Sequence, residues 1–229
     1  MRMVKTLTRL PLVGSALVSG WLLMPLVGQV ATSHQSQVKI EIAPNTDDSA
    51  VAPVDPDDPS QIYPGDSVDP GNVTGTGSQG NLTIDYLSNL KFEPSHGHQG
   101  PIIVAAQNQR AMVQVSNRRT STAGWALQVK PSQPSSATQM LHATIDLGSV
   151  EIKPVGTNVS SAPKLVNQGH LTAGQVNNVL VAAPKTGLGT WLLVMNRGTV
   201  PTTLQLHDAT IAPGNYTGTL TWLLTNAPS

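Results

Sequence analysis

The chain has 229 residues, thirteen Lys and Arg against thirteen Asp and Glu, a formal net charge of zero, and no cysteine. Without cysteine no disulfide framework can staple a small core, and a neutral total gives no ground for a nucleic-acid partner. With one Phe and three Tyr, a core must be mostly aliphatic, with the four tryptophans as its largest pieces.

The N-terminus reads as an export signal. Arg2, Lys5 and Arg9 give a positive start, residues 10–27 are apolar and uncharged, and Ala31-Thr32-Ser33 supplies small residues for cleavage after Ser33 or Ala31. A retained anchor is the other reading, since the run is just long enough to span a bilayer, but Pro11, Gly14, Gly20 and Pro25 make it a poor permanent helix. Residues 1–33 are therefore expected to be a signal peptide. The C-terminal end has neither a sortase motif nor an apolar tail, so retention at the cell is expected to rest with the folded domain.

Residues 34–79 are rich in turns and acid. Eight Asp and Glu fall between residues 40 and 75, with no Lys or Arg among them, in runs such as Pro53-Val54-Asp55-Pro56-Asp57-Asp58-Pro59. So little apolar surface and so much proline predict a disordered spacer, with a short strand at 38–42 as its one exception. From residue 76 onward there are nine Lys and Arg against five Asp and Glu, a balance of +4. That charge either steers the domain toward polyanions or merely keeps it soluble.

About 150 residues remain from Gly80 to Ser229, enough for one core that buries roughly 70% of its unfolded surface. Alternation between turn residues predicts ten short strands, at 82–87, 102–105, 111–115, 125–129, 141–147, 150–153, 179–183, 191–194, 202–206 and 216–224. Leu141, Ala143, Ile145 and Leu147 alternate with His142, Thr144 and Asp146, as a half-buried strand does. No segment keeps a helical period over eleven residues. The fold class is all-β, a β-sandwich.

No cofactor is expected, because neither a phosphate-binding loop nor a dinucleotide glycine pattern appears. His96-Gly97-His98 is the only pair with metal spacing; no third or fourth ligand accompanies it, so it reads as a solvated loop. No Gly-x-Ser-x-Gly elbow frames a nucleophile, and the five scattered carboxylates favour no glycosidase pair. The sequons at Asn72, Asn81, Asn158 and Asn215 are what chance produces in an Asn- and Thr-rich chain. The chain is read as non-enzymatic.

Two Trp-x-Leu tripeptides carry the most information: Trp125-Ala126-Leu127 and Trp222-Leu223-Leu224. Residues two apart share one face of a strand, so Trp125 lies beside Leu127, Trp191 beside Leu193, and Trp222 beside Leu220 and Leu224. That company points to core. Exposed indoles also stack on sugar rings, so an indole with its body in the core and its edge in a groove is a third possibility.

These motifs resemble the WxL domain, a cell-wall-binding module of surface proteins in low-GC Gram-positive bacteria. The resemblance extends to Leu82-Thr83-Ile84-Asp85-Tyr86, to Gly187-Leu188-Gly189-Thr190-Trp191 and to the ending Trp222-Leu223-Leu224-Thr225-Asn226-Ala227-Pro228, and so covers residues 80–229. It implies a secreted protein held at the cell surface by non-covalent binding to peptidoglycan or an associated wall polymer. Trp125, Leu127, Trp191, Trp222 and Leu224 would be its binding or structural motif residues, and companion surface proteins its partners. The alternative is a small structural subunit of a multi-protein surface complex, held by protein partners rather than by glycan.

Overall fold

The computed structural model describes residues 47–93, 95, 96, 98–158 and 160–226, without the side chain of His98. All belong to the second of two compact units, Ala43–Ser229. The expected signal peptide and the short strand considered at 38–42 lie outside the described residues.

In chain order the strands are β1 (Leu82–Leu87), β2 (His98–Gln99), β3 (Ile102–Ala105), β4 (Met112–Asn117), β5 (Trp125–Pro131), β6 (Ala143–Asp146), β7 (Glu151–Val155), β8 (Lys164–Leu165), β9 (His170–Thr172), β10 (Asn177–Ala182), β11 (Gly189–Val194), β12 (Thr203–Leu206), β13 (Thr210–Ile211) and β14 (Leu220–Thr225). All ten expected strands are present. The four that periodicity missed, β2, β8, β9 and β13, have two or three residues each, too few to show a pattern.

Every pairing is antiparallel. The first sheet has the order β1-β4-β11-β7, the second β14-β5-β10-β8, the third β3-β12-β6-β9, and β13 pairs with β2 as a short ribbon. The main core lies between them. It takes Val113, Val115 and Leu193 from the first sheet, Trp125, Leu127, Val129 and Leu180 from the second, and Ile145 from the third. Burying each such aliphatic side chain contributes about 1.5–3 kcal/mol.

The first sheet is covered on both faces. All six residues of β4 are buried, whereas a sheet with one wet face would alternate. The second cover is the acidic segment, which corrects the expectation of a disordered spacer for residues 47–79; residues 34–46 lie outside the described residues. Tyr63, 3% exposed, packs with Tyr86, Met112, Leu192 and Val194, and Val54 rests on the same cluster. The Tyr63 and Tyr86 rings meet at 4.7 Å and 52°.

Few apolar residues suffice because polar side chains of the domain bind this segment's backbone. Gln114 Oε1 accepts the Val54 N–H at 3.0 Å, and Gln114 Nε2 donates to the Ala52 carbonyl at 3.0 Å. In return, the buried Asp66 carboxylate accepts the N–H groups of Gln109 and Arg110 at 2.9 and 2.7 Å. Such bonds leave no periodic trace in the sequence.

The charge pattern is closed internally as well. Arg110 meets Asp55 and Asp57, Arg197 meets Asp57, Arg118 meets Asp47, and Lys91 meets Asp69. Desolvation alone would raise the Asp57 carboxyl, but the hydrogen bonds and charges of Arg197 and Arg110 outweigh it and hold it below the usual range.

Candidate functional site

Trp125 opens β5, an interior strand of the second sheet, and its side chain is 0% exposed. Its indole Nε1–H donates to the Gly187 carbonyl at 3.0 Å. One residue on, the Leu188 carbonyl accepts the Trp191 Nε1–H, also at 3.0 Å. Two successive carbonyls of the Gly187-Leu188-Gly189-Thr190-Trp191 segment thus satisfy two buried indoles, the pairing a buried N–H requires. Gly187 has φ of +64°, and a Cβ there would lie 2.8 Å from the Trp125 Nε1. Only glycine fits this clasp.

Trp191 lies on β11, interior to the first sheet, and is 4% exposed. With Leu192 and Leu193 it forms a further Trp-x-Leu. Leu127 is fully enclosed.

Trp222 differs. It lies on β14, the edge strand of the second sheet. Leu220, Trp222 and Leu224 pack against the core but are only partly buried. The exposed part of Trp222 lines a groove of about 1170 Å³ between the second and third sheets. Its floor is apolar, with Val104, Ile145, Leu204 and Leu206, and its rim is polar, with Asn89, Lys91, Glu93 and Asn215. Such a combination of apolar walls and a few convergent polar groups suits an organic ligand. The structure therefore separates the motif residues. Trp125, Leu127 and Trp191 are interior, whereas Trp222 reaches a surface groove and Leu224 lies beside it on the same strand face.

Glu93 is the only carboxylate lining the groove, so a two-carboxylate hydrolysis has no second group there among the described residues. Among those residues no three His, Cys, Asp or Glu come together as metal ligands. His96 is exposed at the groove rim, while Gly97 and the side chain of His98 lie outside the described residues.

Asp85, on β1, is a buried carboxyl. It accepts from Thr83 Oγ1 at 2.6 Å, Ser116 Oγ at 2.6 Å and Gln114 Nε2 at 3.1 Å. Burial still raises it above the ordinary Asp range, because those bonds return less than desolvation of the charge costs. Its contacts mark it as a structural group.

No curated protein and no solved structure matches the chain. A family model does, over residues 29–228, with the description WxL domain surface cell wall-binding. The match takes in the acidic segment that the sequence reading had set apart, in keeping with its packing against the first sheet. This is a family of wall-binding modules at the cell surface, not of enzymes. The order of the motifs, the clasped tryptophans and the length of the match together place the chain: it belongs to the WxL domain surface cell wall-binding family.

Proposed function

We propose that this protein is exported by residues 1–33, is not an enzyme, and holds to peptidoglycan non-covalently through the groove at Trp222. The observation that carries the reading is the position of this one indole. Two other Trp-x-Leu tryptophans are sealed in the core, while Trp222 is partly buried and lines a groove of about 1170 Å³. The apolar C–H face of a pyranose stacks on an indole, and Asn89, Asn215 and Lys91 at the rim offer donors to hydroxyl or carboxylate oxygens. Trp125, Leu127 and Trp191 serve as scaffold in this reading.

The test is sedimentation of the full chain with purified sacculi free of protein. Binding is expected, and Trp222→Leu is expected to weaken it about tenfold, the size of effect one lost stacking contact has on an equilibrium. Failure of the unaltered chain to sediment would refute the reading.

The second reading, a small subunit held by companion surface proteins, draws on the place of β14 as the last strand of its sheet. It pairs with β5, and a strand at a sheet edge can accept a partner's strand. Retention on cells that have lost their proteins, but not their wall, separates the two.

A further inference from the structure

Nine Lys and Arg lie between residues 76 and 229, and the structure sorts them. Five meet a carboxylate: Lys91, Arg110, Arg118, Lys153 and Arg197. The other four, Arg119, Lys130, Lys164 and Lys185, make no ion pair among the described residues. All four lie on or beside one sheet.

The registers place them. Along β5, Trp125, Leu127 and Val129 point into the core, so Ala126, Gln128 and Lys130 take the sheet's other face, where Ala126 is enclosed, Gln128 half-buried and Lys130 exposed. Lys130 stands opposite Thr221, Gln128 opposite Leu223 and Asn178, and Ala126 opposite Thr225 and Val181. Val181 in turn stands opposite Lys164 on β8. Gln128 Nε2 donates to Asn178 Oδ1 at 2.6 Å, forming an amide pair in the middle of the face. Lys185 and Arg119 sit at the Trp125 end: the Lys185 N–H bonds the Thr122 carbonyl, and Arg119 Nη2 reaches the carbonyls of Ala123 and Gly124. Lys130, Lys164 and Lys185 are exposed.

Among the described residues no carboxylate shares this face. The sequence holds no Asp or Glu between Glu93 and Asp146, between Glu151 and Asp208, or after Asp208, which takes in every strand of the second sheet and its adjoining loops. The first sheet, by contrast, has its cations closed off by the acidic segment. Lys130 and Lys164 are therefore unpaired cations on one hydroxyl- and amide-bearing sheet face, with Lys185 and Arg119 at its Trp125 end.

The spacing of the cations says what kind of anion fits. Lys130 and Lys164 are two strands and four residues apart, about 10 Å across and about 13 Å along the sheet. They do not converge on one anion, as a site for a small phosphate would. A ligand must carry charges repeated at intervals. Lysine suits a phosphate as a point charge without a bidentate fork, and Thr221, Gln128 and Asn178 can bond the hydroxyls between phosphates.

We infer that the outer face of the second sheet is a binding surface for an anionic phosphodiester polymer of the wall, separate from the groove on the sheet's other face. The inference rests on the wall-binding reading but concerns another ligand, so the two can fail independently. The experiment is titration of the full chain with poly(glycerol phosphate) across a salt series, and with sacculi stripped of phosphate polymers. The comparison variant is Lys130→Gln/Lys164→Gln/Lys185→Gln, whose three sites are exposed and unpaired. The unaltered chain should bind the polymer, and the triple variant should lose at least tenfold in affinity. Its slope of log affinity against log salt should be shallower by about 2–3, as expected of three fewer neutralised phosphates. Its binding to stripped sacculi should not change. Equal polymer binding by the two chains would overturn the inference, as would equally tight binding of polyglutamate in place of the phosphate polymer. Loss of binding to stripped sacculi by the unaltered chain would instead refute the groove reading and leave this one standing.

Discussion

Trp125 and Trp222 begin motifs of the same spacing on two strands that pair with each other, yet their surroundings differ. Trp125 is on interior β5, wholly enclosed, with its N–H on the Gly187 carbonyl. Trp222 is on edge β14, opposite Val129, and only partly covered. Trp191 joins the enclosed class from the interior of another sheet. The period of two decides which face a tryptophan takes. The strand's place in the sheet decides whether anything closes over it.

The comparison is broken most directly by truncating the enclosed indole. Trp125→Ala should cost about 3–5 kcal/mol in urea unfolding, through lost burial and a cavity the surrounding sheets cannot fill. A cost below about 1 kcal/mol would mean that the core does not depend on it. Gly187→Ala attacks the same indole from its clasp. A methyl group at positive φ, against Trp125 and the Ala182 side chain, should cost about 2–3 kcal/mol by strain and overpacking. Loss of binding with full stability in this variant would contradict a scaffold role.

The leucines of the two motifs sharpen the comparison without touching an indole. Leu127→Ala removes a fully buried side chain and should cost about 2–4 kcal/mol. Leu224→Ala, on the edge strand, should cost about 1 kcal/mol, since part of its surface is already wet. Equal costs would show that β14 is covered in solution.

The smallest effect lies on the first sheet and depends on pH. Burial raises Asp85, so folding favours its protonated form. Its favourable contribution is complete below the unfolded value of about 3.9 and is lost as pH rises through the raised folded value. Asp85→Asn removes this titration. The variant's stability relative to the unaltered protein should therefore improve between pH 4 and pH 7, as read by urea midpoints. A difference that stays constant over that range would rule out a raised Asp85. Asp57 acts in the opposite sense: its lowered carboxyl contributes above the unfolded value, and that contribution fades as pH falls through the folded one.

Strands with clear alternation were legible. Residues 82–87 and 102–105 appear with the expected ends, and Trp125, Leu127 and Val129 share the buried face that their spacing implies. The acidic segment was not. Its hold on the domain comes from Tyr63 and Val54 together with bonds to Gln114 and Asp66, and composition registers only its prolines and charges. Nor was the difference between Trp125 and Trp222 legible, because edge position is fixed by pairing between strands some ninety residues apart. The four unpaired cations on or beside the second sheet were counted in the net charge, but their nearness to one sheet appears only once the others find their acids.

The central claim is that Trp222 contacts wall glycan while Trp125 only builds the core. It is tested most directly by measuring, on one Trp222→Leu preparation, both the melting temperature and the binding to protein-free sacculi stripped of phosphate polymers. The account predicts a melting temperature within about 4 °C of the unaltered chain, the shift that roughly 1 kcal/mol produces in a domain of this size, with binding about tenfold weaker. Unchanged binding at a retained melting temperature would contradict it.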